Sequence, residues 1–363
     1  MACVLNNYHS GFRQALICRE ANNAHNTEQL IVQGGKVFFL SDNASYELDE
    51  KGKCFFSSLS DGDIVSVSER GVVDQVFSAY DSDATIFMTG NCNSNCIMCP
   101  STDHERRRNY GDRRIVLEEF IEMLPNDLRN YVVTGGEPTM KPGLFLDIMA
   151  MLAHRFPDAE ALLLTNGRSF SVSHFLDQLL QRCPPFLTVG IPLHASNEDL
   201  HDQITRASGS FGQTLQGIQN FLRRNVSVEI RVVVTKINCE DVLNLCKFIA
   251  SKLQGVRRVN FISLEVRGNC FTNREKVYID PTDSFIKSKE GIEVLVKNGI
   301  DVGLYNYPLC SIEPGFRFLC KKSISPEKVR YAVECNDCNS KDFCGGMFAS
   351  TLNSVHPVLM PIQ

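Results

Sequence analysis

The sequence of 363 residues has no tryptophan and no apolar run approaching the length of about 18 residues that crosses a membrane. Its net charge of −5 gives no sign of the strongly basic surface that binds nucleic acid. Residues 1–9 lack the apolar stretch of a secretory signal peptide. These absences predict a cytoplasmic protein whose partners include neither a membrane nor a nucleic acid.

Cysteine is the residue that the sequence has in excess, with 15 copies. A secreted protein with disulfide bonds is the ordinary explanation, but a chain of this length can build a core without such cross-links. In a reducing cytoplasm, cysteines instead bind metals or lie buried as small apolar side chains. We expect burial for seven of them. These are Cys3, Cys18, Cys54, Cys183, Cys239, Cys246 and Cys270.

Three cysteines, Cys92, Cys96 and Cys99, stand close together directly after the strand-like residues 84–89. Thiolates crowded in one loop are typical ligands of an iron–sulfur cluster or of zinc. Three thiolates can hold three irons of a four-iron cluster and leave the fourth iron open. Because chemistry takes place at an open metal position, whereas a site with four cysteines is closed, the count of three predicts a reactive centre.

The chain divides into three regions by pattern. Residues 1–80 alternate short apolar runs with Gly-Gly and Asp-Gly turns, which predicts a small β-rich domain of unknown role. Residues 81–300 show six strand-and-helix units, which predict an α/β fold with a parallel sheet curled into a partial (β/α)6 barrel. Residues 301–363 form a cysteine-rich extension. Strands are expected at 84–89, 130–134, 160–165, 186–191, 227–235 and 258–265, and helices at about 117–124, 143–155, 172–182, 211–224, 240–253 and 283–298.

The second and third predicted strands run into motifs that suit ligand binding. These motifs are Gly135-Gly136-Glu137-Pro138 and Thr165-Asn166-Gly167. Parallel strands place their carboxyl ends at one edge of the sheet, where sites lie, and the cysteine loop follows the first strand to the same edge. Two adjacent glycines would let a ligand approach the backbone closely, although a tight strand-to-helix turn alone would use the same residues.

The spacing of Cys92, Cys96 and Cys99, together with these two motifs, resembles the radical S-adenosylmethionine superfamily over about residues 84–300. The resemblance implies that the three cysteines hold a [4Fe–4S] cluster whose open iron chelates S-adenosylmethionine. It also implies that the strand end at residues 135–138 binds the methionyl amine. One electron would then cleave S-adenosylmethionine to methionine and a 5′-deoxyadenosyl radical, which abstracts a substrate hydrogen. A low-potential donor in direct contact with the sulfonium suits that reaction.

The resemblance also implies further cofactor contacts. Met98 stands before the third cysteine, where the superfamily usually has an aromatic residue near the adenine, and Thr165 and Asn166 end the third strand. His194, after the fourth strand, is either a ligand contact or a hydrogen-bonded structural histidine. Arg231 is a charge in an apolar strand, so it needs a partner, either a cofactor carboxylate or a protein carboxylate. No spacing singles out a general acid or base, so the catalytic residue is unknown.

Five more cysteines follow a last strand-like run at residues 302–305. They are Cys310, Cys320, Cys335, Cys338 and Cys344. Their pattern resembles the SPASM and twitch extensions that carry auxiliary [4Fe–4S] clusters in peptide-modifying members of the superfamily. That resemblance implies one auxiliary cluster, with Cys320 as the alternate ligand to the other four. Zinc is the second candidate, because zinc ribbons with four cysteine ligands look similar.

The whole layout is similar to the His-Xaa-Ser system maturases, specifically their C component. The supporting pieces are residues 59–63, 92–99, 191–194, 322–325 and 334–346. The similarity implies a ribosomal precursor peptide with His-x-Ser repeats as substrate, a second radical maturase as partner and a low-potential electron donor. Two alternatives are a radical enzyme acting on a small molecule in cofactor biosynthesis, and a non-catalytic iron–sulfur scaffold or electron carrier. The 135–138 motif argues against a carrier, which needs no site for a cofactor amine.

Overall fold

The structure is a computed structural model that describes residues 2–18, 28–107, 113–325 and 327–363. Its strands are β1 Ala2–Val4, β2 Arg13–Cys18, β3 Gln29–Gln33, β4 Lys36–Phe39, β5 Ser45–Glu47, β6 Ile64–Val67, β7 Val72–Phe77, β8 Asp83–Phe87, β9 Asn130–Thr134, β10 Glu160–Leu164, β11 Leu187–Pro192, β12 Ser227–Val233, β13 Arg258–Ile262, β14 Asp301–Tyr305, β15 Cys320–Lys321, β16 Val329–Arg330 and β17 Met347–Phe348. Its α-helices are α1 Glu50–Ser57, α2 Asp103–Arg107, α3 Arg113–Met123, α4 Pro142–Arg155, α5 Ser173–Leu180, α6 Glu198–Thr205, α7 Ser210–Arg223, α8 Val242–Lys252, α9 Gly268–Thr272, α10 Arg274–Val277, α11 Pro281–Lys297 and α12 Ala349–Ser354.

Eight strands form one parallel sheet in the order β15-β14-β13-β12-β11-β10-β9-β8. Side chains alternate between its two faces, as the strand period of two requires. Ile230 and Phe261 lie on the outer face and are fully buried, whereas Arg231 and Tyr305 lie on the inner face and are half-buried. Helices α3, α4, α5, α7, α8 and α11 supply apolar side chains to the core on the outer face. The sheet is therefore a half-barrel with a partly open inner face.

The predicted parallel α/β fold is confirmed, and every predicted strand and helix of residues 81–300 has a counterpart. Two strands extend the sheet beyond the six predicted for residues 81–300, so that the sheet continues to Lys321. Of these, β14 corresponds to the strand-like run at residues 302–305, and β15 was not predicted. Helix α6 was not predicted, because its eight residues carry a mixed polar pattern. The division into three domains stays a prediction.

The first 77 residues contain a second sheet of seven strands, in the order β1-β7-β6-β2-β3-β4-β5. One of its faces has a core of its own, while Leu16, Ile64 and Phe77 join the core of the half-barrel. Helix α1 was not predicted, and it corrects one expectation, because Cys54 lies on its exposed side rather than in the core.

All 15 cysteines are free. Cys3, Cys18, Cys246 and Cys270 are buried as expected, and Cys183 and Cys239 are half-buried against the main core. Within the part of the chain that the structure describes, no helix combines the length and the apolar character needed to cross a membrane.

Candidate functional site

The cysteine loop, residues 89–100, is bound to the end of the second sheet strand through backbone hydrogen bonds. The Gly136 N–H donates to the Thr89 carbonyl oxygen over 2.7 Å, and the Glu137 N–H donates to the Asn91 carbonyl oxygen over 2.8 Å. A Cβ atom on Gly135 would lie 2.5 Å from the Thr89 oxygen, and one on Gly136 would lie 2.5 Å from the Asn91 oxygen. The backbone of the cysteine loop therefore makes the close approach that these glycines permit. Binding of a cofactor amine there stays a prediction.

Glu137 ties the ends of two neighbouring strands together. Its side chain is fully buried, and Oε1 accepts hydrogen bonds from the hydroxyls of Thr139 at 2.6 Å and Thr165 at 2.8 Å. Oε2 accepts from the Asn166 N–H at 2.7 Å. Burial raises the pKa of the Glu137 carboxyl, and these hydrogen bonds oppose the rise. Pro138 begins the short 3-10 turn that follows. The carboxyl group therefore fixes the relative position of the two motifs that the sequence singled out.

Arg168 was missed by sequence reasoning, although it follows the Thr165–Gly167 turn directly. Its Nη1 donates to the Asn93 carbonyl oxygen at 2.6 Å and to Ser94 Oγ at 3.0 Å, both in the cysteine loop. Its Nε donates to Gln213 Oε1 on α7 at 2.7 Å. Asn166 Nδ2 adds a bond to Asn93 Oδ1 at 2.6 Å. The third strand end and helix α7 therefore hold the cysteine loop from a second side.

The three thiols of the cysteine loop influence one another. Burial raises the pKa of Cys96 to about 12, and the neighbouring Cys99 and Cys92 raise it further. Burial also raises the pKa of Cys92, which the Ser94 N–H opposes by donating to Cys92 Sγ at 3.4 Å. Arg106 hydrogen-bonds to Cys99, while its buried Nε has no partner. Binding of a metal would replace the thiol protons, and the guanidinium would then offset part of the thiolate charge.

Among the described residues, no three or more His, Cys, Asp or Glu side chains are grouped as the ligands of a metal ion would be. A single zinc ion, with Zn–S bonds of about 2.3 Å, needs sulfurs that nearly touch. A four-iron cluster instead binds each thiolate at a separate corner. The three thiols share one loop and one electrostatic environment, as the ligands of one metal group would.

The inner face of the half-barrel carries a polar group around Arg231. Arg231 Nη1 lies 3.0 Å from Glu229 Oε1, and Asn260 Nδ2 donates to Glu229 Oε2 at 3.0 Å. The Arg231 guanidinium also lies 5.9 Å from the centre of the Tyr305 ring. Of the two partners that the sequence left open for Arg231, the structure shows the protein carboxylate. Glu229 was missed, although it stands two residues earlier and hence on the same face of β12.

Two other predicted cofactor residues, Met98 and His194, are buried. Met98 packs in a small apolar cluster with Ile97 and with residues near α6 and α9. His194 is 3% exposed, and burial, followed by the nearby His201, lowers its pKa to about 3. The His194 N–H donates to His201 Nδ1, and its carbonyl accepts from Asn238 Nδ2, but the Nδ1 of its own ring has no partner. A cofactor contact stays a prediction for both residues.

Four of the five cysteines of residues 301–363 line one pocket. They are Cys310, Cys335, Cys338 and Cys344. Cys320 is not part of the lining, because it lies in β15 and packs against the main core. The structure thus brings together the four cysteines favoured from the sequence and separates the alternate. Their metal ligation stays a prediction.

Backbone N–H groups point at the sulfurs of this pocket. Leu309 and Gly346 both donate to Cys344 Sγ at 3.4 Å, and Ile362 donates to Cys338 Sγ at 3.4 Å. Hydrogen bonds of this kind surround the thiolates of iron–sulfur clusters and adjust their potentials. The donor set therefore fits a metal-bound group with thiolate ligands.

With this geometry in place, comparison with known proteins identifies the family. The sequence of residues 86–249 matches the Radical SAM superfamily. Residues 86–249 therefore form a radical SAM domain, the domain that marks enzymes of the radical SAM type. The matched stretch begins within β8, ends within α8 and includes the cysteine loop.

Two curated relatives match part of the chain. The GTP 3′,8-cyclase of Picosynechococcus sp. is 25% identical over 233 residues, which span 59% of this chain and 66% of the relative. The probable GTP 3′,8-cyclase of Saccharolobus islandicus is 26% identical over 193 residues, which span 51% of this chain and 58% of the relative. The chain thus spans less than two thirds of either curated relative.

A solved structure shares the fold. The crystal structure of Streptococcus suis SuiB bound to S-adenosylmethionine matches with a TM-score of 0.50 and 14% identity, over 62% of this chain and 51% of that one. At this identity the likeness shows a common fold and no more.

Proposed function

We propose that this radical SAM enzyme holds a [4Fe–4S] cluster on Cys92, Cys96 and Cys99, binds S-adenosylmethionine beside it and modifies a ribosomally made peptide by hydrogen abstraction. The observation that carries the proposal is the backbone pairing of the cysteine loop with residues 135–138 at the carboxyl edge of an open half-barrel. When bound, the cluster and S-adenosylmethionine supply a reductive cleavage that yields a 5′-deoxyadenosyl radical. The SuiB structure, whose fold is shared, contains S-adenosylmethionine.

The chain's own residues would hold and shield that site. The three thiolates bind the cluster, and the Arg106 cation near Cys99 offsets part of their charge. Glu137 and Arg168 hold the cysteine loop and the ends of β9 and β10 in fixed positions around the site. The inner face of the half-barrel, with its Glu229 and Arg231 pair, would position the substrate and exclude water from a reactive carbon radical.

Two neighbouring grooves support a peptide as the substrate. One of about 310 Å³ lies between the seven-stranded sheet, β8 and α3, and one of about 660 Å³ lies near α2. Phe12 and Asp74 line both grooves, so the two lie side by side. An extended chain can occupy such a groove along its length, whereas a small molecule would fill only part of it. Precursor peptides with His-x-Ser repeats are the substrates to test first.

The pocket of Cys310, Cys335, Cys338 and Cys344 would hold an auxiliary [4Fe–4S] cluster. Its hydrogen-bonded sulfurs support this assignment, and zinc is the second candidate for the same four ligands. Such a group could accept the electron that remains after a substrate bond has formed. A second radical maturase and a low-potential electron donor remain the proposed protein partners.

A second candidate is cyclisation of a nucleotide. It rests on the match of 59% of this chain to a GTP 3′,8-cyclase. The two substrates need different sites, because a nucleotide substrate requires groups that bind its triphosphate and a peptide substrate does not. Direct comparison of the two substrates in one assay decides between them.

The test measures 5′-deoxyadenosine formed by the anaerobically reconstituted, reduced enzyme with S-adenosylmethionine. We expect slow formation alone, a several-fold rise with the peptide, and none in the variant Cys92→Ala/Cys96→Ala/Cys99→Ala. Cys54→Ala is the matched control, because that thiol is exposed on α1 and outside both cysteine groups. A protein with its iron in place that forms no 5′-deoxyadenosine would contradict the proposal. A rise with GTP and none with peptide would favour nucleotide cyclisation.

A further inference from the structure

We propose that residues 358–362, the closing segment, seal the pocket of the four cysteines, so that a metal group held there has no position open to a substrate or other outside ligand. The inference rests on the proposed function only in taking this pocket as a metal site. It assigns the pocket a role in electron transfer or structural support, and it leaves substrate binding to the half-barrel.

The closing segment is anchored on both sides of the pocket. The Val358 N–H donates to Asp280 Oδ2 at 2.9 Å. Asp280 Oδ1 also accepts from the Thr282 N–H at the first turn of α11, so the anchor belongs to the folded core. At the other end, the Ile362 carbonyl oxygen accepts from the Asn339 N–H at 2.9 Å. Asn339 follows Cys338 directly, so this second anchor lies beside the pocket itself.

Side chains of residues 358–361 alternate between solvent and pocket, as expected for extended chain. Val358 and Met360 are 64% and 62% exposed. Leu359 and Pro361 instead line the pocket, and Ile362 lines it as well. The side chains that the closing segment adds to the pocket are therefore apolar.

The segment also contributes hydrogen bonds to two of the four sulfurs. The Ile362 N–H donates to Cys338 Sγ at 3.4 Å. The Met360 backbone hydrogen-bonds to Cys310. Donation to sulfur favours the thiolate over the thiol, and only the thiolate binds metal. The closing segment therefore both covers the pocket and stabilises the thiolates that would bind the metal.

The two cysteine sites of the chain then differ in kind. The cysteine loop offers three thiolates, which leaves one position of a four-iron cluster open. The pocket offers four thiolates under an apolar cover, which is the composition of a closed metal site. A substrate that had to bind the second metal group would have to displace both the closing segment and a thiolate.

The test uses the variant Cys92→Ala/Cys96→Ala/Cys99→Ala of the full chain, in which any bound metal belongs to the pocket. Met360→Pro and Ile362→Pro each remove one N–H donor, and Met360→Leu is the control that keeps the donor and changes an exposed side chain. We measure the rate of iron or zinc release to a chelator, and the electron paramagnetic resonance spectrum of the reduced iron form with and without cyanide. Groups that hydrogen-bond to metal ligands change metal affinity by about 10-fold to 100-fold. We therefore expect the metal to be released at least about tenfold faster from both proline variants.

In the parent, cyanide should leave the spectrum unchanged. A spectrum that shifts with cyanide in the parent would show an open metal position and overturn the inference. Release rates in both proline variants equal to that of Met360→Leu would overturn it as well. A parent that retains neither iron nor zinc would refute the pocket as a metal site. None of these results depends on 5′-deoxyadenosine formation, so failure of the proposed reaction is distinguished from failure of the closing segment.

Discussion

Gly136→Ala should separate the cysteine loop from the second strand end. The new Cβ would lie 2.5 Å from the carbonyl oxygens of both Asn91 and Gly90, and backbone oxygens cannot turn aside as a flexible side chain can. Overpacking of this kind costs about 1–3 kcal/mol. The shift would also lengthen the hydrogen bond from the Glu137 N–H to the Asn91 oxygen, at a cost of about 1 kcal/mol. We therefore expect the free energy of unfolding to fall by about 2–4 kcal/mol.

The assay is urea unfolding of the metal-free protein, together with the iron content after anaerobic reconstitution. Gly143→Ala is the matched control, because nothing lies within 4 Å of a Cβ at this position in the first turn of α4. Alanine there should leave stability equal or raise it by up to about 1 kcal/mol. If Gly136→Ala unfolds within about 0.5 kcal/mol of the parent and retains full iron, then the close backbone approach does not hold the site together.

Three further results are expected. Arg168→Met removes the cation that binds the cysteine loop, so iron content should fall and stability should drop by about 1–3 kcal/mol; unchanged iron retention would contradict this. Glu229→Gln leaves Arg231 without its carboxylate and should lower the free energy of unfolding by about 1–3 kcal/mol. Adding Arg231→Gln should restore part of that loss, and a double-mutant cycle in urea would measure the recovery. The folded-state pKa values of His194 and His201 are lowered, chiefly by burial, to about 3 and about 4. Because the unfolded chain takes up protons near its ordinary pKa of about 6.5, stability should fall as pH drops from 7 to 5, by about 2 kcal/mol for each histidine. His194→Gln should flatten that pH dependence of the unfolding free energy, and an equally steep profile in the variant would refute the assignment.

Local pattern made the half-barrel predictable. Continuous apolar strands with helical stretches between them indicate a parallel sheet covered by helices, and the structure confirms that arrangement from β8 to β13. The same pattern placed the cysteine loop, residues 135–138 and residues 165–167 at one edge, because every carboxyl end of a parallel sheet lies on the same side. The failures were short or mixed elements, such as α6 and α1, whose packing partners are distant in sequence.

The partners of individual polar groups were not predictable to the same degree. Arg231 needed a partner on general grounds, and Glu229 stands two residues earlier on the same face of β12, but only the structure shows that the two side chains meet. Arg168 carries no motif of its own, and its importance comes from a cysteine loop some 75 residues away that the fold brings beside it.

The sequence by itself determined the order of the six strands and six helices predicted for residues 81–300, the edge at which the site lies and the spacing of three thiols that marks the radical SAM family. Those properties follow from local periodicity and spacing, which chain order carries. Only the tertiary structure decided that the glycines of residues 135–138 admit the cysteine loop, and that Cys310 joins Cys335, Cys338 and Cys344 while Cys320 stays outside. These are contacts between segments distant in sequence, and their geometry depends on how the sheets and loops pack together.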